Sequence, residues 1–575
     1  MDLQELEQEL KKYGEVFIDK FEEYAEAQGD KTFFYYGEED RSYTYAEFNR
    51  MANSFGHSLK SMGIAKGDRV SLFLFNPVAT TVAMFGIWKA GAVFCPINYN
   101  LKGQLLAYHI NDTAPKALLT EQIFIAAVNH IKDVIPALQV ILYQPGARDH
   151  DYNQEAAAAK LDGRFDVVIF EDMLQGESSN LGVKVKSSDE ASIIYTSGTT
   201  GYPKGVVQPH RYLHNYLFTL VRFCHPDDVV YNDLPLYHVG GAFANVVRAA
   251  WAGCRVAVWD KFSPNDYWNR IRQSGANTAI LLDVMIPWLM MMEASPEDRN
   301  NSLKMVHMQP LPANHYEVAQ RFGIDFVTIG YGSTEAGAPF GGGIDEWGEE
   351  AGTPPELDKG YTKDEYRGIA ARFGMPVVPG WKELKKGFMG RPLIVLDVAV
   401  VNELGEPVAP GQPGQAAFRG KLPDLILKGY FNKPEATAKA FQDGWFKSGD
   451  IVVQDEDGIY CFVDRIGGFI RSRGENMSSY TVEDLLKKHP DVSAGAVFPV
   501  QAAVGSEDDI AAFIVLKQGA KLTADELMLW IKDEMPKYMW PKHIRFVDTL
   551  PVTPTFKVEK YKLKEMINQE LGFSG

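Results

Sequence analysis

Residues 191–207 read ASIIYTSGTTGYPKGVV: a β-branched apolar run, a loop of glycines and hydroxyls, then a second apolar run. The first run has the composition of a buried strand. Glycines placed after a strand let backbone N–H groups face an anion with no side chain in the way. Ser197, Thr199 and Thr200 add hydroxyl donors among Gly198, Gly201 and Gly205, and Lys204 adds a fixed positive charge. The Walker pattern GxxxxGK[ST] is not met, because Gly205 follows Lys204 where Ser or Thr is required. Taken alone, the stretch fits either an anion grip or a mobile Gly/Thr turn.

Working outward, strand and helix patterns alternate. Residues 44–64 and 78–91 read as helices, 68–75 and 92–98 as buried strands. The rhythm returns with a helical pattern at 212–224, a strand at 228–235, a helix at 244–253 and a strand at 254–259. This alternation predicts an α/β chain whose large N-terminal domain holds two mostly parallel, helix-covered sheets. Residues 341–387 are rich in Gly, Pro and charge, with one short helical piece near 363–373, and read as a surface excursion or lid. Short strands over 393–420, broken by Gly and Pro turns, predict a small barrel-like β subdomain. A fresh α/β pattern follows, giving domains at 1–464 and 469–575 joined by a hinge at 465–468, the second a small mobile α+β unit.

The chain has 575 residues, too many for one compact core, and a net charge of −17. That charge argues against a nucleic-acid partner, whose binding rests on Lys and Arg neutralising phosphates. Cys95, Cys224, Cys254 and Cys461 show no paired spacing, so neither a disulfide framework nor a zinc site is expected. The N-terminus carries Leu3, Leu6 and Leu10 at helical spacing among charges, a surface helix and not a cleavable signal. No stretch reaches the length of a membrane span; the longest greasy run, 279–292, is broken by Asp283 and Pro287. A cytoplasmic protein is expected.

Residues 195–207, YTSGTTGYPKGVV, resemble the signature of the adenylate-forming (AMP-binding) superfamily, which includes acyl-CoA synthetases, peptide-synthetase adenylation domains and luciferases. Further motifs follow in that family's order: LPLYHVGGA at 234–242, YGSTEAG at 331–337, GWFKSGD at 444–450, FVDRIGGFIRSRGENMS at 462–478 and LPVTPTFKVEKYKL at 550–563. The resemblance implies a two-step reaction. A carboxylate attacks the α-phosphate of ATP to give an acyl-adenylate and pyrophosphate; a thiol, usually that of coenzyme A, then displaces AMP. Positioning and fixed positive charge supply most of the catalysis in the first step.

The resemblance also implies roles. Thr196, Ser197, Gly198, Thr199, Thr200, Gly201 and Lys204 would hold the β,γ-phosphates. Glu335, with Thr196, would ligate Mg²⁺, a hard cation suited to oxygen. Thr334 would donate to the α-phosphate, and Tyr331, with Gly332 in the same segment, would stack on adenine. Asp450 would take the ribose hydroxyls, with Arg465 supporting the same sugar. Lys557 would bridge the substrate carboxylate and the α-phosphate, arriving with the mobile domain; Phe556 stands before it where the family commonly has Gly. Gly467 occupies the pivot, where Asp or Lys is typical. Gly474 would line the thiol tunnel. His238 matches an aromatic residue near the reacting carboxylate; a strand-end histidine satisfied by a local hydrogen bond is the alternative. Residues 307–312, HMQPLP, replace a Gly-Gly-Ala-like wall of the adenine pocket with bulkier side chains.

Within the family, residues 430–450, 462–478, 262–271 and 298–306 look most like the crotonobetaine/carnitine-CoA ligase branch, which handles small polar acids. Asp283 would pair with a cationic or hydroxylated substrate, or else is a helix-start acid facing solvent. The expected function is an AMP-forming acid–CoA ligase using ATP, Mg²⁺ and CoA, with a homodimer admitted. Two alternatives stand beside it: an enzyme loading a carrier-protein thiol, and a lapsed nucleotide-binding interaction protein.

Overall fold

The computed structural model describes residues 1–196, 202–283, 285–385, 387–402, 404–465, 469–502, 507–551 and 558–572. One sheet of eight strands runs, in spatial order, Gly429–Tyr430, Lys204–Pro209, Glu190–Thr196, Val93–Pro96, Arg69–Phe73, Ala117–Glu121, Gln139–Tyr143 and Asp166–Ile169. Its last six strands are parallel; the first two pair antiparallel. The strands on either side of the Gly-rich segment are thus antiparallel neighbours, with Thr196 opposite Lys204 and Tyr195 opposite Gly205.

The second sheet has a parallel core of Thr32–Tyr36, Arg255–Val258, Val229–Asn232, Thr278–Leu281, Met305–Met308 and Phe326–Ser333. The β subdomain does not stand apart from it. Strand Gly337–Asp345 pairs antiparallel with Phe326–Ser333 and continues the sheet through Phe388–Pro392, Tyr460–Arg465, Trp445–Gln454, Pro413–Gly420 and Leu396–Val401.

Helix Pro77–Lys89 lies between the two sheets, and nearly every residue on it is buried. A helix covered on all faces needs no polar stripe, which is why its sequence is apolar all round. Asn76 caps it, its side chain accepting from Ala79 N at 2.9 Å, and Pro77 occupies the first turn. The Trp88 indole donates to Ala191 O at 2.8 Å, tying the helix to the strand that leads into the Gly-rich loop.

Residues 341–387 are not a lid. Their first five residues lie in strand Gly337–Asp345, and Val377–Pro379 pairs with that strand. Helix Lys363–Arg372 sends Tyr366 into the core between Phe223 and Phe326, and Arg372 reaches Glu9 of helix Leu3–Lys11 at 2.8 Å. The glycines that suggested a loose segment permit close packing instead: a Cβ on Gly343 would stand 2.5 Å from the Phe326 ring.

The C-terminal part forms a hairpin, Phe469–Ser472 with Glu475–Ser478, and a three-stranded sheet of Val492–Gln501, Asp508–Leu516 and His543–Phe546. Leu527 and Ile531 of helix Ala524–Glu534, with Met535 at its C-cap, share an apolar cluster with Leu101, Leu105 and Leu106 of the N-terminal part. All four cysteines are buried free thiols, and Cys224 and Cys254, 30 residues apart, meet at 3.3 Å. Among the described residues, no helix is long and apolar enough to cross a membrane.

Candidate active site

In parallel sheets the chain leaves each strand at its carboxyl end, and ligands collect in the crevice there. At that edge of the second sheet stand His238, after Val229–Asn232; Asp283, after Thr278–Leu281; Gln309, after Met305–Met308; and Tyr331–Glu335, at the end of Phe326–Ser333. At the same edge of the first sheet stand Thr196 and, after Val93–Pro96, Asn98. The two edges meet: the Thr196 hydroxyl donates to Glu335 Oε1 at 3.2 Å, and Tyr430 OH reaches the same oxygen at 3.4 Å. Lys204 lies with its ammonium 4.6 Å from the Tyr430 ring centre. Burial lowers its pKa, and the nearby Glu335 charge opposes that.

The segment carrying Thr334 and Glu335 is held by its own carbonyls. Gln208 Nε2 donates to Thr334 O at 2.9 Å, Tyr212 OH to Ser333 O at 3.1 Å, and Asn215 Nδ2 to both Ala336 O and Leu425 O at 2.8 Å. All three side chains belong to fully buried residues. Gly337, at φ +76°, sits so close to Asn215 that a Cβ would stand 2.3 Å from its amide nitrogen. Sequence reasoning missed Gln208, Tyr212 and Asn215. The available signal was polar residues recurring in an otherwise apolar strand and helix at 206–216.

Tyr331 and Asp450 are brought together, the phenol donating to Asp450 Oδ2. Asp450 is nearly fully buried and stands opposite Arg465 in the strand register. Tyr331 is itself mostly buried, its ring beside Phe340 and Phe418. The bulkier 307–312 segment does form a wall here: a Cβ on Gly332 would meet the Gln309 amide at 3.2 Å. Gln309 Oε1 in turn accepts from His307 Nε2 at 3.1 Å, while His307 Nδ1 faces Thr328 Oγ1 at 3.1 Å. Burial pushes the His307 pKa down to about 4, so the ring is neutral near pH 7.

His238 has a partner from the other end of the chain. Its Nε2 lies 3.0 Å from Glu475 Oε1, which also accepts from Tyr237 OH at 2.7 Å and Asn98 Nδ2 at 3.3 Å. The His238 side chain is 41% exposed and that of Glu475 12%. Burial disfavours the imidazolium, but the Glu475 carboxylate outweighs it and raises the His238 pKa above its ordinary value. Burial likewise works against the Glu475 charge, yet His238, Tyr237 and Asn98 hold its carboxyl below the ordinary range. Beside it, Gly474 takes φ +81°, and among the described residues no atom beyond its chain neighbours lies within 4 Å of the place a Cβ would fill. Glu507 fixes this turn, accepting from Arg473 N at 2.5 Å and Gly474 N at 2.6 Å. Asp283 is half-buried. Ser197, Gly198, Thr199, Thr200, Gly201, Gly467 and Lys557 lie outside the described residues.

Two helix-covered α/β sheets, a half-buried Thr–Glu pair at the mouth of a Gly-rich segment, and a small C-terminal unit over the same crevice define the adenylate-forming class. The family model for the AMP-binding enzyme matches residues 21–431 and that for its C-terminal domain matches residues 481–557, so the chain belongs to the AMP-binding enzyme family. It is a ligase of the acyl-CoA synthetase type. It is 27% identical over 556 residues to the crotonobetaine/carnitine–CoA ligase of Salmonella paratyphi A (strain ATCC 9150 / SARB42), covering 95% of this chain and 98% of that one. Among solved structures, a double mutant of o-succinylbenzoate CoA synthetase from Bacillus subtilis bound with its product analogue has a TM-score of 0.73 at 21% identity, covering 95% and 98% of the two chains. The same enzyme in complex with AMP has a TM-score of 0.58 at 21% identity, with the same coverage.

Proposed function

We propose that this protein converts a small polar carboxylic acid to its CoA thioester by way of an acyl-adenylate, with ATP cleaved to AMP and pyrophosphate. The observation that carries this reading is the junction of the two sheets, where the mouth of the Gly-rich segment meets Glu335 through Thr196. The first step must bring a carboxylate onto a phosphate, so the residues around it have to fix both anions. In this reading residues 196–204 hold the β,γ-phosphates, Thr334 the α-phosphate, and Asp450 with Arg465 the ribose. Tyr331, Gly332 and Gln309 border the adenine.

Thr196 and Glu335 offer two hard oxygen donors 3.2 Å apart, a set that suits Mg²⁺, and they would hold it. The ion would offset phosphate charge. Lys557 would bridge the carboxylate and the α-phosphate, on a domain of residues 469–575 that turns over a pivot at 465–468. The placement of the 469–478 hairpin against His238 suits the second step, in which the thiol must enter past Gly474.

The 27% identity to a crotonobetaine/carnitine–CoA ligase supports a polar acid. Crotonobetaine- and carnitine-like acids belong on the substrate panel with Asp283 as their partner. A cytoplasmic location and a homodimer complete the proposal.

Pyrophosphate release with ATP and a panel of acids, with and without CoA, tests the reading. Acid-dependent release with a CoA thioester as product supports it. Release whose acyl group passes to a carrier protein and never to CoA would replace CoA as the acceptor. No acid-dependent release would leave a nucleotide-binding protein without turnover.

A further inference from the structure

We propose that Glu39, His150 and Asp151 form a binding site for a divalent transition cation of the Zn²⁺ type, which staples the first sheet to the second. The site shares no residue with the proposed ligase machinery and stands whether or not that reading holds. Each of the three side chains offers one ligand atom, and these atoms all lie within 4.8 Å of one another. Among the described residues, no other His, Cys, Asp and Glu side chains gather in threes this closely. Atoms so spaced share a point within about 2.8 Å of each, so shifts below about 1 Å would bring them to metal-bond lengths of about 2.0–2.2 Å. The fold explains the gathering. Glu39 lies in the turn after strand Thr32–Tyr36 of the second sheet, and His150 and Asp151 lie in the loop after strand Gln139–Tyr143 of the first. Both are carboxyl ends of parallel strands, where loops of the two sheets face each other.

The groups behind these atoms are those that orient metal ligands. His150 Nε2 lies 2.8 Å from Asp260 Oδ2, and Asp260 Oδ1 accepts from Tyr36 OH at 2.7 Å. A ligating histidine commonly gives its other ring N–H to a carboxylate, which fixes the tautomer and leaves one nitrogen for the metal. Here that nitrogen is Nδ1. It stands 3.4 Å from Glu39 Oε1, longer than an ordinary N–H···O bond and a gap that an ion can bridge. Tyr36 OH, whose proton goes to Asp260, is 3.3 Å from the same nitrogen. Asp151 Oδ2 accepts from Asn76 Nδ2 at 2.9 Å and from Tyr143 OH at 3.3 Å. Its Oδ1 is shut away from solvent and has no hydrogen-bond partner among the described residues, a costly arrangement for a carboxylate oxygen unless something takes its lone pairs. Charge points the same way. Glu39, Asp151 and Asp260 surround one imidazole, and among the described residues no lysine or arginine forms an ion pair with any of the three. A divalent ion offsets two of those charges. One imidazole nitrogen with two carboxylate oxygens suits Zn²⁺ better than Mg²⁺ or Ca²⁺, which take oxygen ligands. The His150 side chain is 27% exposed, so the ion has a way in from solvent.

The test uses the full chain, stripped with EDTA, mixed with Zn²⁺ and passed through gel filtration. Wild-type protein is expected to keep about one equivalent of Zn²⁺, read by atomic emission. In isothermal titration calorimetry, His150→Gln and Asp151→Asn should each weaken Zn²⁺ binding by at least about 100-fold, and Asp260→Asn, behind the ring, by about 10- to 100-fold. Zn²⁺ should raise the urea midpoint of the wild type and leave that of His150→Gln unmoved, since an ion held only by the folded chain stabilises it. Glu39→Gln, in a half-buried turn, gives the same readouts where a loop variant fails to fold. Wild-type protein that keeps no Zn²⁺ would overturn the proposal and leave a histidine paired with carboxylates alone. Zn²⁺ kept equally by the wild type, His150→Gln and Glu39→Gln would also overturn it, as an ion held elsewhere on the chain.

Discussion

Asn215→Leu removes a clamp that no substrate touches and keeps the side-chain volume. Asn215 gives both amide hydrogens to carbonyls, Ala336 O and Leu425 O, each at 2.8 Å. Both of those residues are fully buried, and so is Asn215, so water cannot replace the lost donors without the backbone moving. An acceptor left buried and unpaired costs about 1–3 kcal/mol, so the pair should cost about 2–6 kcal/mol. Leucine also brings a branched methyl group against Gly337, whose missing Cβ already leaves no spare room beside this side chain. The relief available to the chain is to shift residues 333–337, which displaces Glu335, and a shift near 1 Å at a catalytic group can cost about 100-fold in rate. The urea midpoint, followed by tryptophan fluorescence, should fall, and kcat/KM for acid-dependent pyrophosphate release should drop by at least about tenfold. A variant with the midpoint and kcat/KM of the wild type would refute the reasoning that these two bonds set the position of Glu335.

Three further outcomes are expected. Tyr331→Phe removes the hydroxyl that donates to Asp450, and a bond to a charged acceptor is worth about 1.5–3 kcal/mol, so KM for ATP should rise by about 10- to 100-fold in steady-state kinetics. Lys557→Ala should lower acid-dependent pyrophosphate release by at least about 100-fold yet spare thioester formation from supplied acyl-adenylate; loss of both steps alike would count against its assigned role. Glu121 is buried, and burial pushes its carboxyl up to about 7 from an ordinary 4.5, while its Oε2 accepts from Phe75 N and Asn76 N. A carboxyl raised in the folded state holds its proton longer than in the unfolded chain, so its contribution to stability is lost as pH rises from 4.5 through 7. Glu121→Gln, which can accept the same two bonds, should therefore gain about 3 kcal/mol on the wild type at pH 8 and lose that advantage near pH 4.5, read as urea midpoints at the two values.

Much of the fold was legible because each strand–helix pair announces itself by local pattern. Residues 68–75 and 78–91 give strand Arg69–Phe73 and helix Pro77–Lys89 with little displacement. In the region 341–387 the helix was legible, Lys363–Arg372 where 363–373 was expected, but the close packing around it was not. Its glycines look like loop glycines until Phe326 is seen packed over Gly343, and Tyr366 looks like one aromatic in a charged helix until its ring is found in the core. At the site, Glu335, Asp450 and His238 were marked by their motifs. Gln208, Tyr212 and Asn215 were not, because a residue that holds a backbone carbonyl leaves no trace at the carbonyl's own position. Glu475 follows Gly474 in RGEN and was passed over for a related reason: a carboxylate in a charged hairpin reads as solvated unless its partner, here His238 in a distant turn, is known.

The central claim is that the acid is activated as an acyl-adenylate, and the carboxylate oxygens record whether this happens. With an acid bearing heavy oxygen in its carboxylate, one labelled oxygen should appear in the phosphate of AMP for each thioester formed, as read by mass spectrometry. Label found instead in inorganic phosphate, or AMP released without label, would contradict it.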